Sequence, residues 1–172
     1  MTSFKNLRSD ARKNIVGKEE RVSTFQDAKT IIKNLQRAEY ESRSFSKKLK
    51  PIFICDSKLK ICKKVWYVLR KYFEYDAEPP SKQTAKTLQR YIVDRKGDCK
   101  HYATASVGIL LQCGVPAWFT YIRQIPNDKT KGHIYCSALV NGQVVVIDPC
   151  RKVFNSEAKY IYKKNIAPLN KS

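Results

Sequence analysis

The dipeptide Asn141-Gly142 lies between two apolar runs, His133 to Val140 and Gln143 to Asp148. This is the strongest short-range signal for a β-hairpin, because a type I′ turn needs positive φ at both central residues. A two-residue loop also sets the register. Val140 then faces Gln143, Tyr135 faces Asp148 and His133 faces Cys150. Facing residues project to one side of the ribbon, so His133, Tyr135, Asp148 and Cys150 share a face. His133 and Asp148 become diagonal neighbours, within reach of an imidazole–carboxylate hydrogen bond. A bulge within the hairpin would break that register.

Upstream of the hairpin the periodicity is helical. Phe25, Ala28, Ile31, Ile32, Leu35 and Ala38 recur at helical spacing, predicting a helix over 24–41 with Thr24 and Asp27 as a capping box. Residues 42–50 are rich in Ser and Lys and read as a loop. A second helix is predicted from Asp56 or Ser57 to Phe73, with Leu59, Cys62, Val65, Trp66, Leu69 and Phe73 as its apolar stripe. Its wet face carries Lys63, Lys64, Arg70 and Lys71. Pro79-Pro80 breaks the chain, and a shorter helix is expected over 84–93. A further helix runs from Cys99 to Cys113, with Gly114 ending it. Val115 to Arg123 reads as a strand, and Pro126 to Gly132 as a turn-rich loop. Helices followed by an antiparallel sheet predict an α+β fold.

Composition narrows the function classes. With 42% hydrophobic residues the chain can build a core, which excludes whole-chain disorder. No stretch approaches the length of a membrane span. The polar, basic start has no secretory h-region, so the cytoplasm is the expected location. The 34 Lys and Arg outnumber the 15 Asp and Glu, giving +19 spread along the whole chain. That excess suits either a solvated lysine-rich surface or a polyanionic partner such as nucleic acid, held in a salt-sensitive way. The six cysteines form no CxxC pair and only two histidines accompany them, so no metal site and no cofactor are expected. They read as free thiols, mostly buried.

Cys99 stands apart from the other five. It opens a helix after Gly97-Asp98, where backbone N–H groups and the positive dipole end favour thiolate and can hold an oxyanion. Of the two histidines, His101 lies two residues along the same helix and points away, whereas His133 opens a strand that can reach the helix start. An Asp148 carboxylate beside His133 would fix the ring tautomer, the orienting role in a nucleophile–base–carboxylate triad. Taken singly, a helical Cys, a strand His and an Asp before Pro149 are each more often structural. The conjunction in this order is what points to chemistry.

Gly97-Asp98-Cys99, the following helix through Gly114-Val115-Pro116-Ala117, Gly132-His133-Ile134-Tyr135 and Val144 to Pro149 together resemble the transglutaminase-like core. The resemblance covers about residues 65–150 and is of the small bacterial or bacteriophage type. It implies a papain-like α+β fold in which a Cys-bearing helix packs on an antiparallel sheet. It implies Cys99 as nucleophile, His133 as general base then acid, and Asp148 as orienter. It also implies an oxyanion site from the Cys99 N–H and a preceding amide; Gln83 is favoured over Gln89, and either can instead be a solvated helix residue. Lys100-His101 departs from the acidic pair often found after the Cys. The expected organisation is a basic, mobile arm over 1–22 and one transglutaminase-like domain over 23–172. Within the domain, 23–96 is helical, 97–150 is the catalytic core and 151–172 is a C-terminal extension. The expected activity is cysteine-dependent hydrolysis of an amide bond, or transamidation, on a protein or peptide substrate. The alternative is an accessory component of a phage particle or other large assembly, associated with the virion and contacting nucleic acid through the basic surface.

Overall fold

The computed structural model describes residues 4–13, 20–23, 28–79, 82–126 and 132–170. Among the described residues, five helices and eight strands follow in chain order: α1 (Phe4–Lys13), β1 (Glu20–Ser23), α2 (Ala28–Phe53), α3 (Lys58–Tyr72), β2 (Glu74–Tyr75), β3 (Gln83–Lys86), α4 (Leu88–Asp94), β4 (Lys96–Gly97), α5 (Cys99–Gln112), β5 (Ala117–Arg123), β6 (Gly132–Val140), β7 (Gln143–Ile147) and β8 (Tyr162–Ile166). This is an α+β architecture, as the residue pattern predicts.

The organising element is α5. Every residue from Lys100 to Leu110 is buried, so the helix has no wet face and must be covered on all sides. It lies between α2 on one side and strands β5 and β6 on the other, with α3 and α4 at its flanks. The sheet beneath it is four-stranded and antiparallel, in the order β7-β6-β5-β8.

The β6–β7 hairpin has the predicted register. Val140 pairs with Gln143 and the ladder continues without a bulge to Cys136 opposite Ile147. Asn141 and Gly142 have φ of 51° and 78°, the positive values a type I′ turn requires. The C-terminal extension is part of the sheet, because β8 pairs along β5 from Phe119–Ile166 to Arg123–Tyr162.

Three expectations change. Residues 42–50 are helix, not loop: α2 runs unbroken to Phe53, with Phe45, Ser46, Leu49 and Phe53 buried. The apolar stripe continues through this segment at spacings of three and four, but two of its buried positions, Ser42 and Ser46, are polar. Ser42 is satisfied twice, donating to the Ala38 carbonyl (2.6 Å) and accepting the Leu88 N–H (2.8 Å). The helix expected over 84–93 is a strand and then a helix. β3 pairs antiparallel with β1, Thr87 caps the chain, and α4 starts at Leu88. Within the expected arm over 1–22, two stretches are docked: α1 packs on α4 with Ala11 fully buried, and β1 pairs with β3. The expected capping box of Thr24 and Asp27, and the middle of the Pro126–Gly132 loop, lie outside the described residues.

The Ser42 contact generates a prediction. Ser42→Ala leaves the Leu88 N–H buried without an acceptor, which costs about 1–3 kcal/mol. Urea unfolding of the variant should show that loss with an unchanged m-value; a change of a few tenths would mean that α4 does not depend on this hydrogen bond.

Candidate active site

The path into α5 is fixed by backbone pairing. Arg95 ends α4 in the left-handed region (φ 59°) and turns the chain into β4. β4 lies parallel to β2, with Tyr75 opposite Gly97 and the Asp76 N–H donated to the Gly97 carbonyl (2.9 Å). Gly97 is required by close approach: a Cβ there would lie 2.7 Å from the His101 ring. Asp98 then caps α5. Its Oδ1 accepts the Lys100 N–H (3.1 Å) and its own N–H is donated to His101 Nδ1 (3.0 Å). The same ring nitrogen lies 3.1 Å from Asp98 Oδ1. His101 Nε2 lies 3.2 Å from the Thr84 hydroxyl, which is itself donated to the Glu78 carboxylate.

Lys100 forms the charged centre of this knot. Its side chain is 6% exposed. The ammonium donates to the Asp98 carboxylate and to Gln83 Oε1 (2.8 Å), with Glu78 Oε2 at 3.4 Å. Burial on its own would raise the Asp98 carboxyl, but the His101 ring and the Lys100 charge outweigh it and hold the group at about 2. The departure at Lys100-His101 thus builds a buried ammonium and a buried imidazole into the helix start.

The knot leaves Cys99, the first residue of α5, half-buried at the rim. The hairpin brings His133 and Asp148 to it. His133 Nε2 lies 2.7 Å from Asp148 Oδ2, and Cys99 is near enough to act on the same ring. Burial opposes the charged ring, but the hydrogen bonds to Asp148 and Cys99 prevail and raise His133 from 6.5 to about 10. The ring is 19% exposed and the Asp148 side chain 3%, so solvent reaches the imidazole but not the carboxylate. Asp148 is anchored through both side chain and backbone. Its Oδ1 accepts the Cys150 N–H (3.1 Å), and its carbonyl accepts the Trp66 indole N–H (3.1 Å). Arg70 donates to the next carbonyl, Pro149 (3.1 Å). Two α3 residues read from the sequence as core stripe and wet face are therefore the brace behind Asp148.

Gln83 is placed differently from Cys99, His133 and Asp148. Its Nε2 donates to the Glu78 and Pro79 carbonyls (3.1 and 2.9 Å) while its Oε1 holds Lys100. Gln89 is buried on α4. Glu78 and Thr84 were missed by sequence reasoning, since neither belongs to a periodic stripe. Tyr75 was also missed: its ring stacks nearly parallel on Tyr102 (5°, centroids 6.5 Å), one turn beyond Cys99.

A family model described as the transglutaminase-like superfamily matches residues 53–149, more than half of the chain. The structure resembles an inferred protease from Parabacteroides distasonis (TM-score 0.59, 12% identity), covering 72% of this chain and 27% of that one. It also resembles Legionella pneumophila LapG (TM-score 0.52, 18% identity), covering 83% of this chain and 86% of that one. The chain thus spans about a quarter of the Parabacteroides protein's length. No curated protein sequence matches it. Among the described residues no helix is long and apolar enough to cross a membrane.

Two predictions follow from the electrostatics. Lys100→Ala strands the Glu78 and Asp98 carboxylates in a buried site, at a cost of about 3–5 kcal/mol. Denaturant unfolding measures that cost; a loss below 1 kcal/mol would show that the ammonium is not the hub. The second concerns His133, whose folded value lies above its unfolded one. The stability it contributes is complete below 6.5 and is lost as pH rises through about 10. With only two histidines, an NMR titration resolves each ring. His133 should titrate far above the ordinary range and fall back towards it in Asp148→Asn. An unchanged His133 titration in that variant would remove Asp148 as the cause.

Proposed function

The chain belongs to the transglutaminase-like superfamily, and on that premise we propose that it is a cysteine peptidase that hydrolyses amide bonds in protein or peptide substrates. The observation that supports this most is the 2.7 Å contact between the His133 ring and the Asp148 carboxylate, with Cys99 at the start of α5 near enough to act on the same ring.

In this reading the Cys99 sulfur attacks the scissile carbonyl carbon as a thiolate, with His133 holding the proton. The carbonyl oxygen becomes an oxyanion beside the Cys99 N–H, since the next three N–H groups of α5 are donated to Asp98. Collapse of the tetrahedral intermediate breaks the C–N bond, and His133 donates its proton to the leaving amine. A water, deprotonated by the same ring, attacks the thioester. The acid product leaves and the thiol–imidazole pair is restored. Asp148 keeps the ring oriented and stabilises the imidazolium. Gln83, the amide expected as second oxyanion donor, has its N–H groups on the Glu78 and Pro79 carbonyls; its part is to hold Lys100 beneath the nucleophile. No observation on the fold or the site favours a role in a phage particle or a contact with nucleic acid.

Iodoacetamide labelling followed by peptide mass mapping tests the nucleophile. Cys99 should react first among the six cysteines near neutral pH, and Cys99→Ser should abolish peptide hydrolysis while leaving the melting temperature within a few degrees of wild type. Asp148→Asn should slow turnover by up to ~10⁴-fold if it behaves as the triad aspartate of serine proteases does. Equal labelling of all six cysteines in the folded protein would overturn the assignment.

A further inference from the structure

Cys150 is a nucleophilic group the proposed reaction does not use. It is half-buried, two residues beyond Asp148, and its sulfur faces the same pair of side chains that serve Cys99. A ring nitrogen of His133, a carboxylate oxygen of Asp148 and the Cys150 sulfur all lie within 4.8 Å of one another. No CxxC or HxxH pattern marks this set; the hairpin register set by Asn141-Gly142 is what puts its members on one face.

The three donors are an imidazole, a carboxylate and a thiol. That mixture suits a borderline-soft divalent cation such as Zn²⁺ and not Mg²⁺ or Ca²⁺, which take oxygen ligands. In a tetrahedral zinc site the ligand atoms stand roughly 3.4 Å apart, given Zn–N and Zn–O bonds near 2.1 Å and Zn–S near 2.3 Å. With no pair further apart than 4.8 Å, the three atoms are within about 1.4 Å of that spacing, and a water can take the fourth position. The partial exposure of His133 and Cys150 gives a path of entry.

We infer that His133, Asp148 and Cys150 form a binding site for a zinc-class divalent cation, and that occupancy switches the triad off. The bond that matters is the 2.7 Å contact between His133 Nε2 and Asp148 Oδ2. A metal ligated by both atoms takes the place of the hydrogen bond between them. The ring then loses its orienting acceptor, and Cys99 loses an oriented partner. The binding half of this inference stands on the ligand geometry alone; the switching half rests on the hydrolase reading.

The test uses the whole chain with the metal alone. Co²⁺ as a spectroscopic stand-in for Zn²⁺ should give a thiolate-to-metal charge-transfer band at one equivalent. Cys99→Ser should keep the band and Cys150→Ser should lose it. Serine retains a donor towards Asp148 while removing the soft ligand, and Cys150→Ala provides a second variant if serine perturbs the turn. Zn²⁺ affinity, measured by competition with a chromophoric chelator, should fall about a hundredfold or more in either variant, since even partners behind metal ligands are typically worth 10–100-fold. In the unaltered protein, Zn²⁺ should protect Cys150 from iodoacetamide and slow labelling of Cys99; in Cys150→Ser the Cys99 rate should no longer respond to Zn²⁺. A charge-transfer band that survives in Cys150→Ser and disappears in Cys99→Ser would overturn the site, as would alkylation of Cys150 at the same rate with and without Zn²⁺. Neither result depends on hydrolysis, so failure of the metal site leaves the peptidase reading standing. Loss of the peptidase reading would in turn leave the binding measurement intact.

Discussion

The ion cluster around Lys100 is the interaction on which the rest of the structure turns. An ammonium and two carboxylates taken out of water cost several kcal/mol each unless all partners are present in good geometry. Here the partners come from three places: Asp98 from the cap of α5, Glu78 from the segment after β2, and Gln83 from β3. None of these segments can shift alone without leaving a charge uncompensated. The Thr84–His101 contact ties the same pieces together a second time. Cys99 sits in sequence between Asp98 and Lys100, both inside the cluster, so its backbone has little freedom. The position of the sulfur is set by electrostatics one residue away on each side.

The parts of this arrangement that follow local rules were legible in the sequence. Asn141-Gly142 has one good backbone solution, and the hairpin register follows from it. The stripe of α3 and the Ser57 cap are equally local. The end of α2 was not legible, because its buried face uses Ser42 and Ser46, which read as loop residues until the Leu88 N–H that Ser42 satisfies is known. The split of 84–93 into β3 and α4 depends on β1, more than sixty residues upstream, and propensity carries no trace of that pairing. The charged cluster was the least legible feature. Lys100 looked like a departure from a family pattern, and Glu78, just before Pro79-Pro80, carried no signal of its own. Their meaning is tertiary, since a buried lysine is distinguishable from a wet one only by what surrounds it.

Sulfur, imidazole and carboxylate also grade from rim to interior. Cys99 and His133 keep some contact with solvent while Asp148 is almost sealed. A carboxylate so placed has little water to compete for its lone pairs, and its oxygens are committed to His133 and to the Cys150 N–H. The same enclosure that orients the ring puts the Cys150 sulfur within reach of both groups.

The brace from α3 touches main chain only: Trp66 and Arg70 hold the carbonyls of Asp148 and Pro149, not their side chains. A grip of that kind is indifferent to which side chains follow the aspartate, so the turn can change its chemistry without losing its place. It also makes α3 a lever. A rotation of that helix by a few degrees would carry two carbonyls, and with them the Asp148 carboxylate, relative to a sulfur anchored on α5. For the proposed reaction, displacements of about 1 Å matter, so ligands or substitutions on the outer face of α3 have a mechanical route to the Cys99–His133–Asp148 group that passes through none of those three side chains.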